Sequence, residues 1–393
     1  MANINDYLLW RGDIPINSKF KFNEIDSMIL ARFSYLRFDM IKLEPVETIK
    51  SISEKMRDIV NDDFRYNGDK EMITYLGESE RFKDMLVTDF VEVDDKDTEK
   101  QFSAVTVHIN DNELYVSFIG TDASLIGWKE DFNMSFLENV PCQLAGKEYL
   151  SMIAEKYNKA KIRIGGHSKG GNVAIFAAIS ANEKLQNQII KVYNYDGPGF
   201  NKSIIEKYGN KTILDKLETY LPQDSVIGRI LDHKEKTTVV LSLEKGLYQH
   251  DIFSWQVLQT DLVRLEKNTQ ISEDIKETLD SWLTSTTNMQ RKIFIDSVFE
   301  LFYSTDANSF GDMTTTLMSN IIKILKKYKE ISKEDKKIMG EMISIFVKAY
   351  FSVLKEKESK VFNFGKKHEM IVKSTLPEEI QDVWGGNNNG IQI

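Results

Sequence analysis

The chain carries a single cysteine, Cys142, among 393 residues. No disulfide can close within it, which fits a reducing compartment. It also lacks a basic cluster: 51 Lys and Arg are outnumbered by 60 Asp and Glu, for a formal charge of −9. Binding a phosphate backbone needs the opposite footprint, so nucleic acid is not an expected partner. No apolar run approaches the ~20 residues that span a bilayer; the longest lies near 173–179. The opening Met1-Ala2-Asn3-Ile4-Asn5-Asp6 has no basic start leading into an apolar stretch, the mark of a secretory leader. A soluble, cytoplasmic protein is expected. Solenoid-length repeats are missing, and no His/Cys/Asp cluster has metal-ligand spacing, so neither metal nor cofactor is expected.

What remains is an ordinary globular balance, 41% hydrophobic and 28% charged, enough for a large buried core. Three zones separate. Residues 1–80 read as an N-terminal segment packing on the core, with an apolar-periodic stretch Ile25–Tyr35 and a charged helix-like stretch Val46–Val60. Residues 81–265 alternate strand-like and helix-like stretches. Ala104–Ile109 and Leu114–Ile119 flank a hairpin turn, and Ile162–Ile164, Ile189–Tyr195, Leu217–Leu221 and Thr237–Leu243 are strand candidates. Helical stretches Gln143–Tyr157 and Asn172–Ala181 lie between them, which predicts crossovers and a mostly parallel central sheet in an α/β fold. Residues 266–393 show helical periodicity: Leu317, Ile321, Ile324, Leu325 and Tyr328 share one face. Ile338, Met342, Ile345, Phe346, Ala349 and Val353 share another, behind a capping box at Ser332 and Asp335. This region is expected to be a helical appendage packing on the core, with a lid, membrane-surface or partner-binding role as the alternative. The tail Gly385–Gly390 is expected to fray.

The chemistry concentrates in Lys161-Ile162-Arg163-Ile164-Gly165-Gly166-His167-Ser168-Lys169-Gly170-Gly171-Asn172. Gly166, Ser168 and Gly170 form G-x-S-x-G between a β-branched strand and an Ala-rich helix, the setting of a nucleophile elbow. A serine on that strained turn sits at a helix N-terminus, where free N–H groups favour developing negative charge. No P-loop ending and no G-x-G-x-x-G is present here, so phosphate cradling is the weaker reading. Ser168 is the expected nucleophile, and the backbone N–H of Lys169 is one expected oxyanion donor.

A serine needs a base, and the base needs an acid; along an α/β-hydrolase chain the order is Ser, Asp or Glu, His. Only His233, His250 and His368 follow Ser168. His250 lies in a loop after the last strand candidate, from which it can reach over the carboxyl edge of the sheet. His233 precedes that strand and reads as a loop residue, and His368 as a solvated tail residue. His167 points into the support of the elbow, and His108 belongs to a strand. Asp196 and Asp224 each follow a strand candidate and both remain open as the acid.

Gly-Gly-His-Ser-Lys-Gly-Gly-Asn, with the upstream stretch from Tyr115 to Asp122 and the opening Asp6-Tyr7-Leu8-Leu9-Trp10-Arg11-Gly12-Asp13, resembles the Mbeg1-like family, relatives of the class 3 lipases. The resemblance covers roughly residues 3–260 and leaves the C-terminal helices outside. It implies an α/β-hydrolase core. In class 3 lipases a Phe-Gly-x-Pro stretch follows the nucleophile helix and an Asp-x-Val motif carries the acid. Asp196–Phe200 is similar to the first and Asp224–Val226 to the second, so Asp224 is the implied acid, with Asp196 as the alternative. Phe118-Ile119-Gly120-Thr121 is similar to their Phe-Arg-Gly-Thr, which implies Thr121 as the second oxyanion donor, with Ile119 where those lipases often carry Arg.

Leu125, Ile126, Trp128, Phe132, Met134 and Phe136 follow Thr121 closely, either as acyl-pocket lining or as ordinary core. The expected activity is cleavage of a carboxylic ester through an acyl-enzyme, on an acyl-ester or lipid-like small molecule, with peripheral membrane contact open. A binding or scaffold protein that retains the fold with little turnover is the alternative.

Overall fold

The computed structural model describes residues 2–346 and 348, apart from 96, 122–123, 209–210 and 306–316. At its centre lies a nine-stranded sheet. Its strands are β1 (Val46–Thr48), β2 (Leu86–Asp95), β3 (Lys100–Asn110), β4 (Glu113–Phe118), β5 (Lys161–His167), β6 (Ile189–Tyr195), β7 (Leu217–Pro222) and β8 (Thr237–Val240). A short ribbon of β9 (Val257–Leu258) and β10 (Asp261–Leu262) precedes β11 (Arg264–Leu265), which closes the far edge beside β8. The strands from β4 to β8 run parallel, and both flanks are antiparallel. This is an α/β-hydrolase architecture with a mixed sheet, parallel where helices cross over and antiparallel where the chain turns back directly. The Asn110–Glu113 hairpin forms as expected, between β3 and β4.

Strand β4 shows why both faces are covered. Leu114, Val116 and Phe118 join the apolar cluster beneath α6 (Pro141–Lys156) and α7 (Lys169–Ile179). Tyr115 and Ser117 point the other way, where their hydroxyls donate to the backbone carbonyls of Ser27 and Leu30 in α2 (Glu24–Phe33). The period-2 alternation of a strand thus serves two apolar layers at once. Helix α7 is buried along its whole length, and its glycines let it lie against the sheet. A Cβ on Gly171 would stand 2.0 Å from Asn194 Oδ1 on β6.

The second face is covered by α1 (Ile4–Arg11), α2, α3 (Ile49–Met56) and α4 (Asp69–Glu78). Two buried ion pairs tie this layer together, Arg32–Asp69 at 2.7 Å and Arg81–Asp26 at 2.5 Å. Deleting one partner of such a pair typically costs about 3–5 kcal/mol because the other charge stays buried. The charged stretch Val46–Val60 is not one helix. Its first three residues pair with β2, and only Ile49–Met56 is helical, capped by the Thr48 side chain. Strand β8 ends at Val240, short of the expected Leu243.

Beyond the sheet run α8 (Glu183–Gln188), α9 (Lys202–Tyr208), α10 (Lys211–Leu214) and a C-terminal group. That group comprises α11 (Gln270–Thr284), α12 (Asn288–Tyr303), α13 (Leu317–Glu330) and α14 (333–346). Leu301, Ile331 and Met339 give α12–α14 a small core of their own. Asp335 N donates to Ser332 Oγ at 2.9 Å, as the capping pattern predicts. Ala349, Val353, His368 and the Gly385–Gly390 tail lie outside the described residues.

Candidate active site

Ser168 stands between the end of β5 and the start of α7 with φ 59° and ψ −134°, a backbone region that L-residues rarely enter. The strain is held from both sides. Ser168 N donates to Tyr195 O at 2.9 Å, and Ser168 O accepts from Gly171 N at 2.9 Å. Glycine is required at Gly170, where a Cβ would meet Phe118 O at 2.2 Å. The result is the strand–turn–helix elbow that G-x-S-x-G predicts. As the first residue of α7, Lys169 has a backbone N–H with no intrahelical acceptor.

The imidazole of His250 is bonded through Nδ1 to Asp196 Oδ2 at 2.7 Å, with the carboxylate 1% and the ring 23% exposed. Asp196 follows β6 directly, and β6 is the immediate neighbour of β5, with Tyr195 in register with His167. The carboxylate is fixed further by Ser225 Oγ at 2.5 Å and Gly228 N at 3.2 Å. Asp196 therefore does not cap its own turn; that bond comes from Asn194 Oδ1, which accepts from Gly197 N at 2.8 Å.

Asp224, the acid implied by the resemblance, does not meet the histidine. It lies one strand farther along, after β7. Its carboxylate accepts from Gln249 Nε2 at 2.8 Å and from Thr269 Oγ1 at 2.5 Å. Thr269 is the N-cap of α11, so Asp224 fastens the first C-terminal helix to the core. Gln249 and His250 are consecutive residues that turn to different carboxylates. His233 is also otherwise engaged: Nδ1 pairs with Glu235 at 2.9 Å and Nε2 with Gly228 O at 2.8 Å. It is largely buried, contrary to the loop expectation.

His167 supports this arrangement. Its Nε2 donates to the His250 backbone carbonyl at 2.6 Å, and its Nδ1 lies 3.1 Å from Tyr35 Oη. Burial, aided by the neighbouring His250, holds the His167 imidazole well below the usual histidine range. It is therefore neutral, with the proton on Nε2 and Nδ1 free to accept from Tyr35. The Tyr35 hydroxyl also contacts His167 O at 3.1 Å and takes a backbone hydrogen bond from Gly120. Tyr35 follows α2, so the N-terminal layer reaches the loop before Thr121, where Ile119 replaces the Arg of the lipases. No motif marks this tyrosine; its part depends on how α2 lies across the sheet.

Gly120 passes close to Ser168: a Cβ built there would be 2.9 Å from Ser168 Cβ. Thr121, the next residue, is buried and donates its hydroxyl to Asp131 of α5 (Leu125–Asn133). Burial raises the Asp131 carboxyl to about 6, against the lowering influence of Lys169, Thr121 and the His250 ring. Behind Ser168 the Lys169 ammonium is buried against Gln101 Oε1 at 2.7 Å and Glu130 Oε2 at 3.0 Å. Burial opposes its charge, but Glu130 and Asp131 outweigh that and push its pKa up. Sequence reasoning did not find Asp131, Glu130 or Tyr35.

Ser168, Lys169 and Asp131 open onto a cavity of about 360 Å³. Trp128, Phe132 and Met134 line it, whereas Leu125 and Ile126 are buried. The apolar cluster after Thr121 is thus divided between pocket and core. Among the described residues no group of three or more His, Cys, Asp or Glu could hold a metal ion. Among them, too, no helix is long and apolar enough to cross a membrane.

The family model for Mbeg1-like proteins matches residues 76–300. No curated protein matches the sequence. Among solved structures the chain is similar to a fungal lipase in complex with an inhibitor, at 12% identity and a TM-score of 0.37, over 56% of this chain and 78% of that one. It is similar as well to the lipase of Rhizopus microsporus var. chinensis, at 13% and 0.34, over 61% and 89%. For Lip2 of Yarrowia lipolytica the values are 12% and 0.31, over 43% and 68%.

Proposed function

The chain belongs to the Mbeg1-like family, and we propose that it is a serine hydrolase that cleaves carboxylic esters through Ser168, His250 and Asp196. The observation that carries this reading is the 2.7 Å bond from His250 Nδ1 to a buried, three-partnered Asp196 carboxylate at the end of β6, whose neighbour β5 leads into a serine held at φ 59°. A carboxylate on Nδ1 fixes the tautomer that leaves Nε2 unprotonated and able to take a proton, and it stabilises the imidazolium that results. Ser168 Oγ attacks the ester carbonyl while His250 takes its proton. The tetrahedral intermediate collapses to an acyl-enzyme, and the departing alcohol takes that proton back. Water then repeats the sequence and releases the acid.

The backbone N–H groups of Lys169 and Thr121 are the oxyanion donors in this reading. The approach of Gly120 to Ser168 and the tie from Thr121 to Asp131 support it. Removing one such donor typically costs about a hundredfold to a thousandfold in kcat. A fluorophosphonate probe tests the proposal directly. Wild type should be labelled at Ser168 and lose hydrolysis of a short chromogenic ester in step, and Ser168→Ala should show neither labelling nor hydrolysis. A folded wild-type protein that takes up no label would instead be a binding or scaffold protein.

A further inference from the structure

Resting on that catalytic reading, we propose that the substrate is an ester of a single medium-length acyl chain. We further propose that the C-terminal helices form the wall that selects it. The cavity at Ser168 has few polar lining residues, Ser168, Lys169, Asp131 and Ser135. Much of its apolar wall, including Trp282, Phe294, Ile295, Met342, Ile343 and Phe346, comes from α11, α12 and α14. A ligand that fits has one polar reacting group at the serine and an apolar tail running under the helices.

Size sets the length. A cavity of roughly 150 Å³ accepts one benzene ring, and this one, at about 360 Å³, is more than twice as large. That is a size suited to one medium-length acyl chain.

The wall is built into the molecule. Lys129 of α5 pairs with Asp296 of α12 at 3.2 Å, and the Phe132 and Phe299 rings meet at 5.9 Å. Arg229 pairs with Glu273 of α11 at 2.8 Å, and Asp224 holds its cap. Trp282 donates its indole N–H to Met342 O at 3.3 Å, so its only polar atom is satisfied by α14 and its ring is left to face the cavity.

The test uses the full chain and two readouts. In wild type, kcat/KM on p-nitrophenyl esters should rise at least about a hundredfold from butanoate to decanoate, since each buried methylene is worth up to about fourfold. Ile343→Phe, at a half-exposed position that can accept a larger ring, should lower the ratio of decanoate to butanoate kcat/KM at least tenfold. Independently of turnover, Ser168→Ala should bind methyl decanoate, read by fluorescence of Trp128 and Trp282, and bind methyl butanoate at least about a hundredfold more weakly. Adding Ile343→Phe should weaken the decanoate binding at least tenfold. A flat chain-length profile, or equal binding of both esters by Ser168→Ala, would overturn the acyl pocket while leaving Ser168 labelling intact. Absence of labelling with decanoate still bound would remove the catalytic reading and keep the pocket.

Discussion

His167 grips the backbone carbonyl of His250 at 2.6 Å, so the residue before Ser168 fixes the loop that carries the proposed base. With Asp196 on Nδ1, His250 is held both by its ring and by its main chain. His167→Phe keeps a buried ring but removes the donor and leaves that carbonyl unpaired. The lost hydrogen bond is worth about 1–3 kcal/mol. We expect kcat on a short ester to fall roughly tenfold to a hundredfold with little change in KM. Because burial keeps His167 neutral, the pH dependence of kcat should keep its shape.

The two candidate acids separate cleanly by substitution. Asp196→Asn leaves the histidine in the wrong tautomer and should lower kcat by about 10⁴. Asp224→Asn should leave kcat on a short ester within a few-fold and reduce stability by about 1–3 kcal/mol, as the cap of α11 loosens. Steady-state kinetics beside urea unfolding distinguish the two. Equal losses of activity would contradict the assignment of Asp196.

Asp131 makes stability depend on pH. Its carboxyl is raised from 3.8 to about 6 by burial, so the folded state holds its proton more tightly than the unfolded one. The advantage is complete below pH 4 and is lost as pH rises through about 6, a difference of roughly 3 kcal/mol. Asp131→Asn should therefore be more stable than wild type by up to about that amount at pH 7.5, with the gap closing by pH 4. Denaturant midpoints across that range measure it.

Lys169 and Glu130 form a pair with side chains 1% and 0% exposed. Glu130 also accepts from Gln101 N at 3.2 Å and Cys142 N at 2.7 Å. Lys169→Met strands a buried carboxylate and should cost about 3–5 kcal/mol. Lys169→Met with Glu130→Gln should recover at least half of that, because no bare charge remains. Urea unfolding of both variants reads the coupling.

Much of the molecule was legible in one dimension because its signals are local. The G-x-S-x-G turn needs glycines wherever a Cβ would strike neighbouring backbone, as at Gly170, and that demand is written in five consecutive residues. Strand β6 appears at its predicted limits, and α7 follows the elbow as an apolar run. His250 could be put forward because it follows the last parallel strand, and the structure bonds it to Asp196. The stretch Val46–Val60 misled because three residues pairing with β2 leave no helical or alternating pattern of their own.

The amino-acid sequence by itself determined the strained turn at Ser168 and the order of its flanking strand and helix. The tertiary structure alone decided which carboxylate meets His250, since Asp196 and Asp224 both follow parallel strands and differ in which neighbour their carboxylates reach. It also decided that Tyr35 and the C-terminal helices belong to the site. Their contacts with the elbow and cavity join residues more than a hundred positions apart, and a spacing rule along the chain carries no trace of such a meeting.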